Sequence, residues 1–140
     1  MKYSILDCIA VARAMNLYYH HLHNVAKGIA FEGDHEMMAD FYGAMDDVYD
    51  SLIERHIGLG GSMTKVDFVK IVDAAEEVLE AIPDSEDFQV HLNHAQSLEV
   101  DFRSLLERAN AGASLGTQNL YAQAMDDSEV RSYKLSRRLN

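Results

Sequence analysis

Four residues in the first half of the chain could together hold a metal ion: His23, His35, Asp50 and Glu54. Imidazole nitrogen and carboxylate oxygen suit a borderline metal such as iron or zinc. The spacing limits how such a set could work. His35 and Asp50 are fifteen residues apart in one helical stretch, which at a rise of ~1.5 Å per residue separates them by about 22 Å. One ion cannot reach both in the same chain. His23 and His35 flank a short loop and can approach each other, while Asp50 and Glu54, at i and i+4, project from neighbouring points of one helix face. A site using all four must be composite, with two imidazoles from one subunit and two carboxylates from another. Pairing about a two-fold axis would make two equivalent sites.

The elements that position these residues follow from apolar spacing. Ile5, Ile9, Ala12, Asn16, Tyr19, His23 and Ala26 recur at intervals of four and three, which predicts a helix from about Ser4 to about Ala26, ended by Lys27 and Gly28. A second helix is predicted from Asp34, read as its N-cap, to about Gly58, with Met38, Phe41, Met45, Val48, Leu52 and Ile53 as its apolar face. Gly60 and Gly61 break the chain. Thr64 and Asp67 resemble a capping box, and Phe68, Ile71, Val72, Ala75, Leu79 and Ile82 mark a shorter helix before Pro83. A third long helix is expected from Asp84 or Ser85 along Phe88, Leu92, Ala95, Leu98, Phe102, Leu105 and Ala109. The fourth is expected from Gln118 to about Arg138, with Arg131, Lys134, Arg137 and Arg138 suiting its C-terminus.

Four long helices with a short one in the middle connection predict an all-α fold, a ferritin-like four-helix bundle over residues 1–140 as a single domain. The length suffices for one core and not two. Twelve basic against twenty-three acidic residues give a net charge of -11, a field that repels nucleic acid and anionic lipid and concentrates cations. Asp40, Asp46 and Asp47 read first as a solvated face. The single cysteine, Cys8, cannot form an internal disulfide and sits among apolar neighbours. The opening MKYSILDCIAVARAM is too short and too interrupted for a signal peptide or membrane span, so a cytoplasmic protein is expected. Of the seven histidines, His20 and His21 cluster with His23, while His91 and His94 share a face of the third helix and are expected to be structural or incidental.

The stretch from residue 18 to 62 resembles a known family. His23, His35 followed directly by Glu36, then Asp50, Glu54-Arg55 and the closing Gly60-Gly61 are similar to the pattern of the mini-ferritins called Dps, for DNA-binding protein from starved cells. The resemblance implies a hollow dodecamer built from two-fold dimers. It also implies a ferroxidase site at the dimer interface, with His23 and His35 from one subunit and Asp50 and Glu54 from its partner. Fe²⁺ would be oxidised there, usually with hydrogen peroxide, and ferric mineral stored inside. Three departures stand out. Asn24 replaces a Trp often found after the first His, Ala39 replaces a further carboxylate, and no Lys-rich tail precedes the first helix. DNA binding is therefore not carried over.

Two other readings use the same residues. One is a ferritin-fold helical assembly or interaction protein that binds metal weakly or not at all, without ferroxidase turnover. The other is a carboxylate oxidase with a di-iron centre inside each bundle. That version wants paired Glu-x-x-His motifs, and here only Glu32 to His35 has the spacing.

Overall fold

The computed structural model describes residues 4–140, and among these there are five helices and no strand: α1 (Ile5–Val25), α2 (Phe31–Gly58), α3 (Lys65–Glu80), α4 (Phe88–Asn110) and α5 (Leu115–Leu139). α1 packs on α2 and α4, and α5 packs on α4 and α2, closing a ring of four long helices; α3 lies outside the ring against α1. The start of α5 lies beside the end of α2, and the Asp34–Arg138 pair joins their other ends, so these helices run antiparallel. Tyr18 meets His91 near the end of α1 and the start of α4, while Ile5, Ala109 and Tyr121 line one recess at the opposite end. Every neighbour in the ring is therefore antiparallel, and α2 and α4 point the same way. The chain must return along the whole bundle before α4 can begin. The sixteen residues of α3 cover about 24 Å of that return.

The helix boundaries have local causes. Asp7 accepts a hydrogen bond from the Ser4 N–H at 2.8 Å and fixes the start of α1. The helix ends at Val25, and Gly28 turns the loop at a φ of +89°, where a Cβ would be strained. The expected cap of α2, Asp34, lies instead inside its first turn, because Arg138 of α5 grips the carboxylate at 2.8 and 3.0 Å and buries it. α4 begins at Phe88 rather than at Asp84 or Ser85. The Ser85 carbonyl accepts from His91 Nε2 at 2.6 Å, and Asp87 serves as N-cap by accepting from the Gln89 N–H at 3.0 Å. α5 likewise begins earlier than expected, capped by Ser114.

The Gly60-Gly61 break has two separate reasons. Gly60 has a φ of +87°, which favours glycine. Gly61 passes so close to the His56 ring that a Cβ would overlap it. His56 Nε2 donates to the Ser62 carbonyl at 2.9 Å and holds the turn together.

The Thr64 and Asp67 capping box forms as expected, and the Asp67 carboxylate accepts from the Thr64 N–H at 2.9 Å and the Ser62 hydroxyl at 2.6 Å. The Ser62 hydroxyl, with the Thr64 donors, lowers the Asp67 pKa from 3.8 to about 2. A depressed carboxylate stabilises the fold above its unfolded pKa, and that contribution is lost as pH falls through the folded one. We expect the start of α3 to loosen between about pH 4 and pH 2, and the Thr64→Ala variant to loosen at higher pH. The Asp67 carboxyl resonance followed by NMR checks both.

The core forms where the four long helices meet. Ile9, Ala12, Tyr19, Met38, Phe41, Met45, Leu52, Leu92, Phe102 and Tyr121 are buried as the spacing predicts. α1 is buried on more than one stripe, adding Cys8, Met15, Tyr18 and Leu22, because it is wrapped by α2, α3 and α4. Burial pushes the Cys8 thiol up to about 12, so it is an inert core group. Asn16 sits on the same surface with its amide used, donating to the Tyr42 carbonyl at 2.9 Å. Among the described residues, no helix is long and apolar enough to cross a membrane.

Arg131 departs from expectation. Rather than sitting at an exposed helix end, it is buried and forms a two-pronged pair with Glu99 at 2.8 and 3.0 Å. The Glu99 carboxylate also accepts from the Tyr19 hydroxyl at 2.5 Å and the Ser128 hydroxyl at 2.7 Å. Burial and the neighbouring Glu99 charge hold the Tyr19 phenol well above its ordinary pKa. Arg103 then donates to Ser128 and Ser132. A buried charge pair is stable only when its remaining polar atoms are satisfied, and here they are.

Candidate functional site

The structure brings His23 and His35 together at the α1–α2 corner. Their rings stack with centroids 3.7 Å apart and planes 21° from parallel. His23 Nδ1 lies 2.7 Å from the His35 carbonyl oxygen, and His35 Nδ1 lies 2.8 Å from the His23 carbonyl oxygen. A carbonyl can only accept, so both Nδ1 atoms carry the proton. Each neutral ring then has its lone pair on Nε2. Metal-binding histidines characteristically donate their other ring N–H to a carbonyl or carboxylate, which fixes the tautomer and aims the ring. Here each imidazole is oriented by the backbone of the other.

Aromatic rings surround the pair. Phe31 stacks on His35 at 4.9 Å, and Tyr42 meets His23 edge-on at 5.4 Å. Tyr42 also stacks flat on His20, with centroids 4.0 Å apart. Sequence reasoning passed over Tyr42 and Phe31. The signal was present in the spacing, since Tyr42 lies seven residues after His35, two turns along the same face.

Asp50 and Glu54 lie elsewhere. Both are exposed on α2, one turn apart, toward its C-terminal end. Glu54 sits at the rim of an open recess shared with Ser51, Arg55 and Gly58 of α2, Leu59 just past its end and Leu120 of α5. Among the described residues of one chain, no three His, Cys, Asp or Glu side chains converge as a metal site. Within a subunit the imidazoles and the carboxylates remain two separate halves.

The bundle interior bears on the reading with a di-iron centre inside each subunit. The two carboxylates buried among the described residues, Glu99 and Asp34, are each neutralised by an arginine. Glu32, the carboxylate of the lone Glu-x-x-His spacing, points from the first turn of α2 and is exposed.

The other histidines have separate fates. His91 is buried, its Nδ1 accepting from the Tyr18 hydroxyl at 2.7 Å while Nε2 donates to the Ser85 carbonyl. It ties the start of α4 to α1, a structural role. His94 faces the Tyr18 ring edge-on at 5.8 Å. Its Nε2 is buried without a partner, and burial lowers its pKa.

A protein-family model described as a ferritin-like domain matches residues 7–140. No curated protein matches the chain.

Proposed function

This chain belongs to the ferritin-like domain family, and from that premise we propose that it is a mini-ferritin of the Dps kind, which binds and oxidises Fe²⁺ at composite sites between two subunits and stores the ferric product in a hollow oligomer. The observation that carries the reading is the reciprocal pair of hydrogen bonds at the α1–α2 corner, which holds both imidazoles with Nε2 free for a metal. Asp50 and Glu54 of a partner subunit would complete the ligand set. Glu54 is the main carboxylate, able to bind one ion or bridge two, and Asp50 supports it. Their distance from the imidazoles of their own chain is what a two-fold arrangement requires.

The iron is substrate. With hydrogen peroxide as oxidant, two Fe²⁺ ions give up one electron each, the O–O bond breaks, and two protons complete two waters. The negative field of the chain draws in cations. The carboxylates favour the ferric product over the ferrous substrate, because the ion gains charge as it is oxidised. Two-fold dimers assembling into a dodecamer would provide the store. Anaerobic crystals soaked in Fe²⁺ test the arrangement. Anomalous scattering is expected to place iron at the Nε2 edge of His23 or His35 of one subunit, against Glu54 of its neighbour, and iron bound elsewhere, or nowhere, overturns the reading.

A further inference from the structure

Along the face of α2 that carries His35, position 39 is an alanine. Ala39 lies on the same face of α2 as His35 and Tyr42, one turn after the first and one before the second. Its methyl group can offer nothing to an ion. Across from this face, α1 presents His23 opposite His35 and, one turn earlier, His20 opposite Tyr42.

The geometry points to His20 as a third imidazole of the site, sharing an ion with His23 and compensating for the carboxylate absent at Ala39. The inference rests on the metal reading of His23 and His35. The His20 and His23 ring centroids are 6.1 Å apart. With metal–nitrogen bonds of about 2.1 Å, two imidazoles sharing an ion have ring centres roughly 4.6 Å apart at a right angle, about 5.3 Å at a tetrahedral one and about 6.5 Å when opposite, so a small closing movement of the exposed His20 ring brings the pair into range. The positions i and i+3 put the two rings on one helix face, and the rings are tilted by 58° rather than stacked, so their edges can converge.

Tyr42 supplies the second part of the case. Although His20 is exposed, its ring lies against Tyr42 with the planes only 5° from parallel. That contact removes rotamer freedom before any ion arrives, and a preorganised side chain binds at lower entropic cost. His20 is held flat with no hydrogen bond committing either ring nitrogen among the described residues, whereas the Nδ1 of each neighbouring imidazole is committed. The consequence is an unequal site. The ion at His23 would have two imidazoles in addition to partner carboxylates, and the position at His35 would have one.

A nitrogen-richer position binds late first-row divalent ions more tightly than an oxygen-rich one, so Co²⁺ serves as a spectroscopic probe. The test is anaerobic Co²⁺ titration of the assembled protein, reading affinity and the visible ligand-field bands. It compares the parent with His20→Phe, which keeps the ring against Tyr42 and removes the nitrogens, and with His20→Asp, which returns a carboxylate. We expect His20→Phe to weaken the tighter Co²⁺ position by about tenfold or more and to change its bands, with assembly and thermal unfolding unchanged, and His20→Asp to recover part of the loss. Co²⁺ binding by His20→Phe that is indistinguishable from the parent overturns the role of His20. Indistinguishable binding by His23→Ala as well overturns the metal reading beneath it.

Discussion

Glu54→Ala is expected to slow Fe²⁺ oxidation by at least about 10–100-fold, since even the groups that merely orient metal ligands are worth that much and Glu54 is proposed to bind the iron itself. The side chain is exposed and its recess is open, so the fold should be unaffected and the loss chemical. Stopped-flow absorbance of ferric product, with peroxide or with O₂, reads the effect; equal rates in parent and variant would remove Glu54 from the mechanism. The proposed composite site allows a sharper form of the same experiment. In a mixed dimer of one Glu54→Ala subunit and one His23→Ala subunit, one site draws all its ligands from intact residues and the other loses both kinds. Such dimers should regain about half of the parental activity although each variant alone is impaired. A site built within single subunits would show no recovery.

The largest stability effect is expected at Arg131. Replacing it by Met removes one half of a fully buried ion pair and leaves the Glu99 carboxylate facing the Tyr19 and Ser128 hydroxyls with no countercharge. Breaking a buried pair from one side costs about 3–5 kcal/mol. For a chain of this size that corresponds to roughly 10–15 °C in the unfolding midpoint. The double variant Glu99→Met with Arg131→Met should recover most of the loss, because the interior then holds no charge at all. Thermal unfolding followed by circular dichroism separates the cases. A single variant as stable as the parent would mean that Glu99 is already neutral or hydrated there.

The order of the helices, the middle crossover and most of the buried stripe were legible in the sequence, because apolar spacing reports which face of a helix is covered. Start points were less so. Asp34 has the right residue type for an N-cap, but a distant arginine outbids the local backbone for its carboxylate. Asp84 and Ser85 suit a helix start by composition, yet His91 draws the Ser85 carbonyl away. Arg131 looked like a helix-end cation because its partner Glu99 is thirty-two residues away and nothing local announces the pair. The candidate site was half legible. The motif marked His23 and His35, and the structure adds what spacing cannot show: the tautomers, the stacked rings, and Tyr42 placed flat against His20.

The return passage of α3 also bears on how the molecule assembles. With the crossover set aside, what remains is two helical hairpins, α1–α2 and α4–α5, each closed by a loop of a few residues and each able to form from near-neighbour contacts, the kind that favour rapid folding. Glu99, Ser128 and Arg131 all belong to the second hairpin, so the partners of its buried charge lie within that hairpin. The first hairpin adds only the Tyr19 phenol to that cluster, so most of the hydrogen bonds that offset the drying of the ion pair are made inside one hairpin.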